Sequence, residues 1–255
     1  MDVIVSVRKV PDTAEADVMV EKSGKDIEKS RLTFTINEWD NYAVEEAIQL
    51  KEKYGGTVTV ITVGPKDVED ILRRSLAMGA DKAIRVDMED PEDAYILANV
   101  LSAVIKNQKF DLVLFGAQSG DFNRGVTGVL VARMLGITHA AMVNGIEVLD
   151  GSIKASRELE GGLNEIYDIK LPALFTIQTG INEPRYVSIS GIRKARQKPL
   201  DVLTQSDLGI GSIEPMVRLD KMYLPPPGKL AEFIGGSTEE AAAKLASVLK
   251  GKGVL

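Results

Sequence analysis

The sequence predicts an α/β fold of the Rossmann-like, doubly wound kind: a mostly parallel sheet, an antiparallel extension and a C-terminal arm. Two observations predict the core. Short runs rich in β-branched residues alternate with segments of helical period, and the helical segments are long enough to be crossovers between strands. Such βαβ units are right-handed and build a parallel sheet covered on both faces. A third observation, hairpin-like turns confined to the middle of the chain, predicts the antiparallel part.

Positions 3–7 (VIVSV) form the first buried strand. A short apolar run at 34–36 follows, and Ala43, Val44, Ala47, Ile48 and Leu50 then recur at helical spacing until Gly55-Gly56. Positions 57–63 (TVTVITV) make a strand ending at Gly64-Pro65, and 68–78 a helix closed by Gly79. A strand at 83–86, a helix at 94–106, a strand at 112–115 and a helix at 125–135 complete the alternating region. Beyond His139, positions 143–149, 152–158 and 164–169 read as antiparallel strands joined at Asp150-Gly151 and Gly161-Gly162. An apolar strand resumes at 173–177, and the basic run RKARQK at 193–198 reads by itself as a solvated face. Pro225, Pro226 and Pro227 stiffen an extended linker. Ser237 or Thr238 then caps a last helix, EEAAAKLASVLK, with Glu239 and Glu240 in its first turn. Residues 1–224 are thus expected to form a nucleotide-binding α/β domain, and 225–255 a partner-binding arm.

Composition narrows the function. The net charge of −6 provides no basic field for coating nucleic acid. With no cysteine there is no disulfide, thiolate metal site or cysteine nucleophile. The single histidine, His139, precludes a multi-histidine metal centre and reads as a structural residue at a strand edge, beside Ala140, Ala141, Met142 and Val143. No apolar stretch approaches the ~20 residues of a membrane span. The N-terminus, MDVIVSVRKV, runs into a strand without a secretory core. A soluble cytoplasmic protein is expected, with neither metal nor membrane insertion.

The segment at 112–128, LVLFGAQSGDFNRGVTG, holds the most chemistry. Free N–H groups at a helix start, aided by the helix dipole, favour a phosphate. Gly116, Gly120, Gly125 and Gly128 are expected to let backbone approach a ligand. The loop matches neither GxxxxGK[ST] nor a full GxGxxG. In parallel sheets, however, ligands bind beyond the carboxyl ends of strands, and the loops after Val7, Val63 and Phe115 share that edge. Asp121 either accepts a ribose hydroxyl or bonds its own backbone. Thr127 either donates to a phosphate or caps the helix, and Asn37 either bonds a base edge or shapes a turn.

No GxSxG elbow, HExxH, cysteine pair or Walker lysine occurs, so no catalytic residue is assigned. These residues point to a protein that positions a cofactor, whose own chemistry does the work. A regulatory nucleotide-binding α/β protein without a redox role is the alternative. An ATP-pyrophosphatase-type enzyme would need an SGGxDS-like loop, which is absent from the sequence.

Four segments together carry a resemblance. They are VSVRKVPDT at 5–13, INEWDNYAVEEAIQLKEK at 36–53, LAMGAD at 76–81, and the late series SRELEGGL, KLPALFT and INEPRYVSISGIRKA. In this order they resemble the β subunit of electron transfer flavoprotein (ETF) over nearly the whole chain. The resemblance implies a heterodimer with an ETF α subunit, an FAD shared with that subunit, and a second nucleotide, AMP or another FAD, in this chain. It places that nucleotide against Ser6, Val7, Asn37, Val63, Gly64, Gln118, Asp121, Gly125, Thr127 and Gly128. It also implies docking to a dehydrogenase or quinone-linked oxidoreductase, with Ile189 as an anchor, Arg193 and Lys194 steering acidic partners, and Glu158 receiving the mobile flavin domain. The chain departs from the family pattern at Asn37-Glu38, where N-P is usual. It departs again in the phosphate loop, where Asp121, Asn123, Val126, Thr127 and Gly128 stand for D-x-D-x-x-Q-[TV]-G. Asp40 and the VPDT start lean toward the nitrogen-fixation and electron-bifurcating branches, hence toward FAD.

Overall fold

The computed structural model describes every residue except Glu15, Glu92 and Lys229. Alternation within short apolar strands sets its layers. β1 (Val3–Ser6), β4 (Val58–Val63), β5 (Lys82–Val86), β6 (Leu112–Gly116), β7 (Thr138–Val143), β11 (Ala173–Ile177) and β12 (Leu200–Leu203) form one sheet in the order β12-β5-β4-β1-β6-β11-β7. Every neighbouring pair in it is parallel. Odd and even positions of each strand face opposite helical layers. Val3, Val5, Val58, Val60, Leu112 and Leu114 pack with α1 (Glu38–Tyr54) and α2 (Glu69–Met78). Ile4, Ile61, Val113 and Phe115 pack with α3 (Ala94–Lys106) and α4 (Thr127–Leu135). Both faces are therefore buried, which is why the central strands are apolar throughout.

The chain passes from β1 outward to β4 and β5, then returns to place β6 on the other side of β1. The β1/β6 boundary is thus the switch point of the sheet, and the loop after β6 opens there. A short antiparallel pair, β2 (Lys9–Pro11) and β3 (Phe34–Ile36), leads from β1 into α1.

Several expected boundaries are corrected. The helix expected from Gly125 starts at Thr127; Val126 takes the cap position and supplies no side-chain hydrogen bond. The strand expected at 143–149 is divided. Positions up to Val143 belong to β7 in the parallel sheet, and β8 (Gly145–Val148) begins after Asn144. Met142 has a positive φ of 59°, and its N–H bonds Thr176 Oγ1 at 2.9 Å where the β7–β11 register shifts. This bulge ends one ladder and redirects the chain into the next. The antiparallel extension is a separate three-stranded sheet of β8, β9 (Ser152–Leu159) and β10 (Leu163–Lys170). His139 lies exposed on β7, the sheet's edge strand.

The basic run is also corrected. Half of it, Arg193 to Ala195, ends α5 (Ile189–Ala195); Arg193, Lys194, Arg196 and Gln197 are exposed, but Ala195 is buried and Lys198 is not a solvated charge. Its ammonium donates to the carbonyls of Leu76 (3.0 Å) and Ala80 (2.5 Å), closing the end of α2.

The chain divides into two compact units, Met1–Met222 and Tyr223–Leu255. The second contains α6 (Thr238–Gly251), whose N-terminus has a complete capping box between Ser237 and Glu240.

Candidate functional site

The loop after β6 is held by groups far away in sequence. Asn37, buried at the entry to α1, donates from Nδ2 to the Gln118 carbonyl (2.9 Å) and accepts the Gly120 N–H on Oδ1 (3.1 Å). Both ends of its amide are spent on shaping the loop, so it acts there as a positioning residue. Asp40, in the first turn of α1, accepts the Arg8 N–H (2.8 Å) and the Gly116 N–H (3.0 Å), joining the segments after β1 and β6.

Two of the four glycines owe their size to internal packing. A Cβ on Gly116 would lie 2.4 Å from Asp40 Oδ1 and 2.7 Å from Trp39 Cβ. One on Gly128 would lie 2.7 Å from Thr176 Cγ2, so α4 sits directly on the sheet. Gly120 and Gly125 remain open, with nearest neighbours at 3.8 and 3.4 Å.

Asp121 does not project a free carboxylate. One oxygen accepts the Phe122 N–H (2.7 Å), and the other is held by the Arg8 guanidinium at 2.8 Å. Burial raises its pKa, but the charge and hydrogen bonds of Arg8 outweigh burial and keep the carboxyl below its ordinary range. Arg8 also pairs with Asp90 (2.7 Å), and Arg124 stacks 4.2 Å from the Phe122 centroid while donating to the Pro91 carbonyl. Arg8 and Arg124 escaped the sequence reading because neither belongs to a phosphate-loop motif. The position of Arg8 just past the first strand, on the sheet's ligand edge, was the available signal.

Ser6, Asn37, Gln118 and Thr127 line one pocket with Arg8, Asp40, Ser119 and Arg124. The Ser119 hydroxyl is buried without a hydrogen-bond partner among the described residues. Val7 and Gly64 lie on the same edge, but their backbone groups are used within the protein. Val7 bonds Ile61 and Thr62, while Gly64 bonds Val86 and Arg85. Val63 ends β4 and is buried. Two guanidiniums, an unpaired hydroxyl and the first turn of α4 fit the phosphate end of a nucleotide. The enclosed volume, about 50 Å³, is far below the roughly 300 Å³ or more of small-molecule sites. At that volume the pocket does not admit a whole nucleoside.

A second candidate surface follows β11. Trp39 Nε1 donates to Gln178 (2.9 Å), and Asn182 donates to Glu46 (3.0 Å). Arg185 pairs with Glu45 (2.9 Å) and Glu52 (2.7 Å). These contacts lash the segment to α1, the same helix whose start holds the loop after β6. At its end Ile189 opens α5 with 71% of its surface exposed, and Arg193 and Lys194 are exposed on the same helix. Glu158 is exposed on β9, opposite Asn164.

The electron transfer flavoprotein domain matches residues 26–208. Proteins named electron transfer flavoprotein subunit beta are similar over nearly all of both chains. That of Methylophilus methylotrophus is 37% identical over 98% of this chain and 98% of its own. That of Bacillus subtilis is 38% identical over 98% of each, and that of Homo sapiens 31% identical over 96% and 97%. The chain belongs to the electron transfer flavoprotein family. Among the described residues of this ETF chain no helix is long and apolar enough to cross a membrane.

Asp40 gives this ETF chain a measurable pH signature. Burial pushes its carboxyl up from 3.8 to about 7, against the opposing pull of its two backbone hydrogen bonds. Between those values the folded protein holds a proton that the unfolded chain has released. Stability therefore falls as pH rises through that window and levels off above it. Asp40→Asn cannot titrate. From about pH 4 to about pH 8 the wild type should lose up to about 4 kcal/mol relative to this variant. Urea midpoints at each pH measure this; a gap that does not move with pH would mean that Asp40 ionises as it does in the unfolded chain.

Proposed function

We propose that this chain is the β half of a heterodimeric ETF. It shares an FAD with an α subunit, keeps AMP or a second FAD at the loop after β6, and docks a dehydrogenase or quinone-linked oxidoreductase through the Ile189 segment. The observation that carries the reading is the pocket at the β1/β6 switch point, where Arg8, Ser119, Arg124 and Thr127 meet the first turn of α4. Its groups bind and orient; the flavin, when bound, supplies the one- and two-electron chemistry. Arg8 and Arg124 exchange their internal partners for phosphate oxygens, and Thr127 donates its hydroxyl. Gly125, exposed in the rim, and Gly128, in the first turn of α4, present backbone N–H groups. Glu158, exposed on β9, accepts an arginine of the mobile flavin domain. Ile189 enters an apolar pocket of the redox partner while Arg193 and Lys194 face acidic groups beside it.

Co-expression with a cognate α chain should yield a yellow heterodimer. Acid release and chromatography then identify the second nucleotide, two FAD per heterodimer marking the bifurcating type, for which NADH is the donor to assay. A colourless homodimer that takes up no flavin with any α chain would favour the non-redox alternative. Thr127→Val should weaken nucleotide retention by about 1 kcal/mol for a neutral hydrogen bond, and by more for one to an anion. Ile189→Asp should raise the KM for the redox partner at least tenfold and leave the bound flavin in place. Unchanged electron transfer to every partner would remove Ile189 from the anchor role.

A further inference from the structure

A cavity lies away from the loop after β6, between α2 and the segment that carries Ile189. It measures about 840 Å³, within the size range of small-molecule sites. Its lining is cationic on one side and apolar on the other. Arg73, Arg74 and Arg196 supply the charge; Tyr186 and Ile192 supply apolar surface. The remaining charges nearby are already matched: Asp70 pairs with Lys9 at 2.9 Å, and Arg185 with Glu45 and Glu52. Arg73 spends one nitrogen on the carbonyls of Ala195 and Lys198, which fixes the wall of the cavity but brings no negative charge. No ion pair to Arg73, Arg74 or Arg196 occurs among the described residues. In a chain of net charge −6, three arginines thus line one concavity without an ion-pair partner among the described residues, and the one carboxylate in its lining, Asp70, is paired with Lys9.

We propose that this cavity is a binding site for a small organic anion. Its phosphate or carboxylate is held by Arg74 and Arg196, and its flat apolar body lies against Tyr186 and Ile192. Guanidinium pairs suit this role because their planar forks meet phosphate and carboxylate oxygens two at a time. The site is distinct from the phosphate loop and does not depend on the nucleotide proposed there.

The test uses the purified full chain and calorimetric titration with phenyl phosphate, with inorganic phosphate and phenol as separate probes. Phenyl phosphate should bind more tightly than either fragment. Arg74→Ala/Arg196→Ala, two exposed positions, should weaken it tenfold or more, and Tyr186→Ala should weaken phenyl phosphate but not inorganic phosphate. Thr127→Val, in the other site, should leave the affinity unchanged. No binding by the wild type at millimolar probe would overturn the proposal. So would equal binding by the double variant, or loss in Thr127→Val with retention in the double variant, which would locate the probe at the phosphate loop.

Discussion

Arg185→Ala should lower the stability of the chain by about 3 kcal/mol, a large effect for a residue with a third of its side chain in solvent (32%). Glu45 explains the size. Its side chain is only 3% exposed, and Arg185 reaches it through Nε and Nη2 at 2.9 and 3.0 Å. Both glutamates bind the guanidinium and raise its pKa, Glu52 foremost, while Glu45 is drawn below the ordinary carboxylate range by Arg185 against the effect of burial. Removing the arginine strands a buried carboxylate, and that penalty exceeds what the pair contributes by attraction. Adding Glu45→Gln to Arg185→Ala should therefore restore much of the loss. Urea unfolding of the single and double variants measures both. A single-variant loss under about 0.5 kcal/mol would place Glu45 in contact with water. Because the same contacts lash the Ile189 segment to α1, Arg185→Ala should also weaken the partner docking proposed for that segment.

Gly116→Ala should be at least as damaging, by about 3 kcal/mol or with failure to fold, because no flexible group can yield. The new methyl would meet Trp39 Cβ at 2.7 Å and the Asp40 backbone nitrogen at 2.9 Å, both fixed by the first turn of α1. Moving α1 away breaks the bonds from Asp40 to Arg8 and Gly116 and pulls Asn37 from the loop it shapes. Gly120→Ala is the control. Its nearest neighbour would be 3.8 Å away and its φ is not positive, so stability should shift by no more than about 0.5 kcal/mol. Similar effects at the two positions, read by thermal unfolding, would refute the packing account.

Much of the sheet was legible because its strands obey a simple rule. β1, β4 and β6 are short apolar runs bounded by glycine or polar residues, and the helices between them keep a clear apolar face. The edges were harder. β12 (LDVL) has only half-buried and exposed side chains, so it shows no strand alternation; Leu200 and Leu203 pack at the margins of the two core layers, and backbone pairing sets it beside β5. β7 is not announced by the sequence: only its last residue, Val143, falls in an expected strand, and its end is set by a bulge at Met142, a backbone feature that THAAMV does not reveal.

The loop after β6 shows the same division. Its glycines and its place after an apolar strand are local facts, readable in any linear string. The sequence by itself determined the parallel sheet, the loop at its carboxyl edge and the absence of cysteine chemistry, and its segments in order carry the family. Only the tertiary structure decided that Asn37 and Asp121 face inward, that Gly116 and Gly128 are small for packing, and that Arg8 binds Asp90 and Asp121 across separations of 82 and 113 residues. The physical reason is range. Backbone periodicity and helix capping act over a few residues and leave a pattern in the chain, whereas charge pairing and close packing join whatever the fold brings together and leave none.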